Sequence, residues 1–305
     1  MADLSVSMAG VTFKNPIIPA SGTFGFGREY TDYYPVSVLG GMSLKGTTLH
    51  QRAGNPPPRI AETPMGMLNS VGLQNPGIDY FLSHELPKVA DEDTVIIANI
   101  AGAAIEDYVE TVQKLEGSAV DMIELNISCP NVKLGGAALG TSCAAAGEAT
   151  RAVRKATTKP LMVKLSPNVT DIAEIARAVE AEGADAVSLI NTPLGMRIDI
   201  RPRRPILHNN VGGMSGPAVF PIAVRMVWQV ANAVKIPVSG IGGVASYQDA
   251  IEMMMAGAAA VQVGSANLVD PYACKNIVEE LPVRMEALGI ARLADVIGSA
   301  QTQKD

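Results

Sequence analysis

Short β-branched or apolar runs alternate with amphipathic stretches along most of this chain, as expected of βα units that build a parallel sheet. The runs fall at residues 16–20, 36–44, 94–100, 122–127, 161–165, 186–190, 237–241 and 260–263. Several are continuously apolar, as strands covered on both faces should be. Between them, residues 105–115, 171–182, 218–233 and 247–256 carry apolar positions at helical spacing. Thr170 and Ser246 are the expected N-caps, each followed by an acidic first turn, and Gly183 and Gly257 stand where helix C-caps belong. Residues 4–6 and 11–13, around Met8-Ala-Gly10, predict a β-hairpin ahead of the first unit.

Eight consecutive units in 305 residues, with no evident second domain, predict an α/β fold: a single (β/α)8 TIM barrel spanning residues 1–305. A doubly wound open sheet is the competing architecture. Two stretches break the rhythm. Residues 47–87 lack helical periodicity and carry Asn55-Pro-Pro-Pro58 and then Met67-Leu-Asn-Ser-Val-Gly-Leu-Gln-Asn-Pro-Gly77. Long ordered loops in compact enzymes are usually functional, so this insertion is expected to fold over the C-terminal face of the barrel. Residues 193–217, rich in Arg and Gly, form a second insertion with the character of a lid. Its Arg201, Arg203 and Arg204 suit either a partner contact or a solvated basic loop.

Composition narrows the function classes. An apolar share of 48% is ample for a large core, and the charged share of 18% is low. A net charge of -6 offers no basic field for nucleic acid or an anionic membrane. No charged start followed by an apolar run opens the chain, so no signal peptide is expected. The longest apolar stretches, such as residues 256–263, fall well short of the roughly 18 residues of a membrane span. Cys129, Cys143 and Cys274 have no CxxC spacing, which argues against a disulfide frame or a zinc site and fits a reducing cytoplasm.

In a barrel of this kind the chemistry sits at the carboxyl ends of the strands. Those ends carry Ala20-Ser-Gly22, Ser43-Leu-Lys-Gly46, Asn99, the segment from Asn126 to Asn131, Lys164, Asn191-Thr192, Gly240-Ile-Gly-Gly243 and Gly264-Ser265. The absence of Asp, Glu and His from these positions counts against metal hydrolysis and carboxylate acid/base work. The glycine turns after the seventh and eighth strands leave backbone N–H groups free to cradle a phosphate, where barrels commonly bind one. Tight βα turns alone would also explain them. Gly22-Thr-Phe-Gly-Phe-Gly27 does not match GxGxxG and gives no dinucleotide signal.

Lys164 has apolar neighbours and points into the barrel. There it would meet a phosphate, a carboxylate or an anionic ring, or pair with a structural carboxylate. A Schiff-base role stays open as a third reading. Lys45 has a similar profile. The segment Glu124-Leu-Asn-Ile-Ser-Cys-Pro-Asn131 places the Cys129 thiol between two side-chain amides where a strand runs out into a loop. A thiol near pKa 8.5 is a poor base unless lysines and peptide N–H groups favour the thiolate. The alternative is an inert buried thiol.

These strand ends also carry a resemblance. The chain resembles the dihydroorotate dehydrogenases over nearly its whole length, in Asn15-Pro-Ile-Ile-Pro-Ala-Ser-Gly-Thr23, Ser43-Leu-Lys-Gly-Thr47, Leu68-Asn-Ser-Val-Gly-Leu-Gln-Asn75, the Cys129 loop, Gly212-Gly-Met-Ser-Gly-Pro217 and Val261-Gln-Val-Gly264. The cysteine resembles the soluble class 1 enzymes, and the opening segment and residues 43–47 are most similar to the NAD-linked subclass, class 1B. Leu139 and Cys143 depart from the family's usual pattern. The resemblance implies one FMN per chain, held by Ala20, Ser21, Lys45, Gly46, Asn99, Asn126, Lys164, Ile190, Gly216, Gly242, Gly243, Gly264 and Ser265. It implies a pyrimidine against Lys45, Asn69, Ser70, Val71, Gly72, Leu73, Asn126, Asn131, Asn191 and Thr192.

Cys129 would then take a proton from C5 of dihydroorotate while hydride leaves C6 for the flavin, giving orotate in de novo pyrimidine (UMP) biosynthesis. The chain has no Cys-rich segment for a cluster. The resemblance therefore implies an electron-transfer partner subunit with FAD and a [2Fe–2S] cluster, serving NAD+ in a heterotetramer built on a homodimer core. The alternatives are the fumarate-linked subclass, dihydropyrimidine dehydrogenase (whose loop resembles Ser-Cys-Pro-His where this chain has Asn131) and, more distantly, a barrel lyase with Lys164 as Schiff base.

Overall fold

The computed structural model describes residues 2–128 and 139–301. Eight strands, Ile17–Pro19, Gly41–Ser43, Val95–Ile100, Met122–Asn126, Leu161–Lys164, Ala186–Leu189, Val238–Ile241 and Ala258–Val263, form one parallel sheet. Each lies beside its neighbour in the chain, and the eighth pairs with the first. The Gly40 N–H donates to the Ile17 carbonyl at 3.2 Å, drawing the first and second strands together so that the sheet curls into a barrel. Every residue from Met122 to Asn126 and from Ala258 to Val263 is buried, which is why these segments are mostly apolar and show no alternation of apolar and polar faces.

Helices cover the outside. Ile105–Leu115 turns Tyr108, Thr111, Val112 and Leu115 inward, the spacing of one helical face. Ile172–Ala181, Phe220–Ala231 and Tyr247–Met255 fall within a few residues of their expected bounds, and Cys143–Arg154 and Ala273–Ala287 complete the layer. Ser246 caps its helix as expected, its Oγ accepting from the Asp249 N–H at 3.2 Å. The cap expected at Thr170 is instead Asp171, whose carboxylate accepts from the Ala173 N–H at 2.8 Å and the Glu174 N–H at 3.4 Å. A carboxylate wins there because it adds charge to the positive end of the helix. Gly183 and Gly257 take φ of 95° and 119° at the helix ends.

Two expectations change. The second strand begins at Gly41 rather than at residue 36, because Val36–Val38 forms one 3-10 turn behind Pro35. The chain re-enters the sheet at Gly40, where any Cβ would collide with the Asn15 carbonyl. The second insertion is not a free-standing lid. Leu194–Gly195 and Gly212–Ser215 join the hairpin Ile60–Thr63 and Gly66–Asn69 of the first insertion in one four-stranded antiparallel sheet. Gly213 stands opposite Asn69 in that sheet. Arg201, Arg203 and Arg204 are exposed. The N-terminal hairpin pairs Val6–Met8 with Val11–Phe13, and Ala9 and Gly10 both take positive φ, as a tight two-residue turn requires. No helix among the described residues is long and apolar enough to cross a membrane.

Candidate active site

The carboxyl ends of the barrel strands open into a cavity of about 360 Å³, with the antiparallel sheet as its roof. Its walls bring together Ala20 and Ser21 from the first strand end, Lys45 and Gly46 from the second, Asn99, Asn126 and Lys164 from the next three, Ile190, Asn191 and Thr192 from the sixth, Gly242 and Gly243 from the seventh, and Gly264 and Ser265 from the eighth. The roof contributes Asn69, Val71, Gly72 and Leu73, with Met214 and Ser215 from the second insertion.

Two of the expected residues stand behind the wall rather than in it. Ser70 is 1% exposed, and its Oγ accepts from Asn209 Nδ2 at 3.0 Å. Gly216 turns at φ 118° against the Gly66 backbone. Cys129 and Asn131 lie outside the described residues. The cavity is also lined by Ile60, Met67, Val219, Ile241 and Leu268, which the sequence reading missed. Apolar side chains carry no chemical mark: Ile60 and Met67 reach the cavity from the first insertion, and Val219, Ile241 and Leu268 reach it from outside both insertions.

The sequence reading also missed the charge beneath the site. Glu124 is fully buried in the barrel interior, two residues before the end of its strand. Its Oε2 accepts from Ser43 Oγ at 2.8 Å and Asn99 Nδ2 at 2.6 Å; its Oε1 accepts from Ser188 Oγ at 2.7 Å and Gln262 Nε2 at 2.9 Å. Lys164 Nζ stands 3.8 Å from Oε2. Burial pushes the Glu124 pKa up. The Lys164 ammonium and the bonds from Gln262, Ser188 and Asn99 outweigh it and hold the carboxyl below its ordinary range. Lys164 therefore joins two of the readings its sequence allowed: it lines the cavity and faces a structural carboxylate.

A chain of side chains runs upward from that carboxylate. Asn126 Nδ2 donates to Asn99 Oδ1 at 3.3 Å, and Asn126 Oδ1 accepts from Ser128 Oγ at 2.9 Å. Asn191 Nδ2 donates to the same Ser128 Oγ at 2.9 Å, and Asn191 Oδ1 accepts from the Thr192 N–H at 2.7 Å. The Tyr108 hydroxyl donates to the Asn126 carbonyl at 3.1 Å, fixing this strand end from the helix outside. The amides at the mouth are thus held in defined orientations.

On the other side of the cavity the backbone dominates. Gly242 and Gly243 take φ of 130° and 73°, and a Cβ on Gly243 would lie 2.7 Å from the Phe220 nitrogen. A Cβ on Gly264 would meet nothing closer than the Ala20 Cβ at 4.0 Å, so it would project into the cavity. Gly242 and Gly243 are thus packed against protein on their Cβ side, while Gly264 leaves backbone beside open space, which suits an anion such as phosphate. Burial lowers the pKa of Lys45; the Glu29 carboxylate opposes that and the Arg59 guanidinium reinforces it. An anionic ligand beside Lys45 would offset the cost of its burial.

A family model described as dihydroorotate dehydrogenase matches residues 3–285. Over 299 residues the chain is 53% identical to "Dihydroorotate dehydrogenase B (NAD(+)), catalytic subunit" of Anoxybacillus flavithermus, which covers 98% of this chain and 96% of that protein. It is 54% identical over 302 residues to the protein of the same name from Phocaeicola vulgatus, covering 99% and 100% of the two chains. The crystal structure of DHODH from Eimeria tenella in complex with ferulenol superposes with a TM-score of 0.83 at 22% identity, over 99% of this chain and 89% of that one. That last likeness concerns the barrel fold.

Proposed function

Since the chain belongs to the dihydroorotate dehydrogenase family, whose NAD-linked members divide the work between a catalytic subunit and a partner, we propose that residues 1–305 form one FMN-binding barrel with Cys129 as its base. The reaction is the oxidation of dihydroorotate to orotate in pyrimidine synthesis, with electrons passing to NAD+ through the partner subunit. This sets aside the Schiff-base lyase, and the NAD-linked relatives favour this subclass over the fumarate-linked one.

The observation that carries the FMN reading is the sorting of groups around one cavity. The glycine turns at Gly242, Gly243, Gly264 and Ser265 line one part of it, and Lys164 with the Asn99 and Asn126 amides lines another. The first set suits a phosphate and the second suits the nitrogens and carbonyls of a flavin ring. The volume of about 360 Å³ lies within the range of small-molecule and cofactor sites. When bound, FMN supplies a two-electron acceptor.

The chain's own residues orient the substrate and move its proton. Lys45 offers a cation to the substrate carboxylate, and Asn69, Asn126, Asn131, Asn191 and Thr192 match the carbonyl and N–H edges of the pyrimidine. Val71, Gly72 and Leu73 cover the ring from above. Cys129, one residue beyond the Ser128 that joins the Asn126 and Asn191 amides, accepts the C5 proton. The partner subunit carries FAD and a [2Fe–2S] cluster, and the working assembly is a cytoplasmic heterotetramer on a homodimer core.

Anaerobic mixing of the FMN-loaded protein with dihydroorotate tests this reading. The visible flavin band should bleach rapidly in wild type and 10²–10⁴-fold more slowly in Cys129→Ala, the range of a lost general base. Equal rates would remove Cys129 from the proton transfer. A protein that takes up no FMN on reconstitution would refute the flavin reading.

A further inference from the structure

We propose that Glu124 is a positioning residue for the flavin site: its carboxylate compensates the Lys164 ammonium and dictates which way the Asn99 and Asn126 amides face. The inference rests on the FMN reading above.

Glu124 touches no part of the cavity, whereas Lys164, Asn99 and Asn126 all line it. The polar groups that hold its carboxylate come from the second, third, fifth, sixth and eighth strands. Barrel interiors are ordinarily filled with branched apolar side chains. A buried ion pair is weak evidence of a stability role, since apolar replacements of similar volume often serve as well. What the carboxylate does supply is direction. It can only accept hydrogen bonds, so Asn99 must turn its NH2 downward and keep Oδ1 for the Asn126 NH2. Asn126 then presents Oδ1 to Ser128, and Ser128 Oγ takes up Asn191 Nδ2. The polarity of the mouth is set from below.

Charge follows the same geometry. Lys164 sits on the fifth strand, two and three strands away from the glycine turns of the seventh and eighth. Its charge therefore stands apart from the phosphate cradle, with Asn99 and Asn126 on the two strands before it. A two-electron reduced flavin is more anionic than the oxidised one, so a cation there favours the reduced form, and a counter-charge beneath it moderates that preference.

The test uses FMN-loaded Glu124→Gln, Lys164→Met and the double variant. FMN affinity is read by fluorescence titration of each apoprotein, and the two-electron potential by anaerobic equilibration with reference dyes. Glu124→Gln should favour reduced over oxidised FMN at least tenfold more than wild type, a rise of about 30 mV for a two-electron couple. The double variant should lack that rise, and Glu124→Asp should stay close to wild type. A residue that only supports the fold would weaken both redox states alike and leave the potential unmoved. An unchanged or lowered potential in Glu124→Gln, or a rise that persists in the double variant, overturns the proposal. If Glu124→Gln alone does not fold, a folded double variant that binds FMN supports the pairing, and failure of both overturns it. Wild-type protein that binds no FMN brings down the FMN reading itself.

Discussion

Replacing Lys164 by Met probes the pair at the floor of the site through stability alone. Glu124 is fully buried and the Lys164 side chain is 7% exposed, so the substitution strands a carboxylate that water does not reach. Removing one partner of a buried pair costs about 3–5 kcal/mol. The 3.8 Å separation is long, and the Ser43, Asn99, Ser188 and Gln262 donors remain, so the loss belongs at the lower end, about 3 kcal/mol. That is a large part of the roughly 5–15 kcal/mol a domain has. The sign of the pH dependence also inverts. In wild type the Glu124 pKa is depressed on folding, so its contribution is present above the unfolded carboxyl pKa and is lost as pH falls through the folded value. Without Lys164, burial dominates and raises the folded pKa above the unfolded one, so acidification relieves the penalty. Urea unfolding of the apoprotein at pH 7 and pH 5 measures both effects. Lys164→Met should show a much lower midpoint at pH 7, and its deficit against wild type should shrink at pH 5. A midpoint equal to wild type at pH 7, or a deficit that grows on acidification, would refute the reasoning.

Gly264→Ala should leave thermal stability unchanged, because the new Cβ meets nothing closer than 4.0 Å, yet lower FMN affinity about tenfold by occupying cradle space. Fluorescence titration reads the affinity, and an unchanged value would place the phosphate elsewhere. Asn209→Ala removes the 3.0 Å bond that holds Ser70 behind the roof, about 1 kcal/mol of positioning. It should raise the KM for dihydroorotate about fivefold with FMN content unchanged. A loss of FMN with unchanged KM would contradict the assignment of the 69–73 segment to the substrate.

The barrel was legible because strands covered on both faces are mostly apolar, and eight short apolar or β-branched runs alternate with helical patterns along the chain. The cavity followed from that, since strand ends converge in any closed barrel and Lys45, Asn99, Asn126, Lys164 and the paired glycines all lie at such ends. The roof was less legible. Its sheet joins residues 67–69 to residues 213–215, nearly 150 positions away, in a strand that opens on Gly212 and Gly213, which carry no side-chain alternation to reveal the pairing. The turn of the Ser70 side chain toward Asn209 was hidden for the same reason, since nothing local announces it. The Cys129 loop was read from its residues and its resemblance alone.

Glu124 was missed for a different reason, and that reason bears on how the site works. Ser43, Glu124, Ser188 and Gln262 are polar residues in mostly apolar strands, and taken one at a time each is unremarkable. Only the closed barrel brings them within 2.9 Å of one carboxylate. A lone Glu within Met122–Asn126 is nevertheless a signal, because burying that charge is costly unless several donors and a cation await it, and such donors must come from the neighbouring strands. The polar layer this predicts lies directly beneath the mouth, where Asn99 belongs to both levels, bonding Glu124 below and Asn126 above. An apolar layer would fill the barrel equally well, but it would leave the amides free to turn and the Lys164 charge unmatched. While Lys164 lines the site, the polar layer therefore has two tasks: it balances that buried charge, and it fixes the orientation of the amides above it.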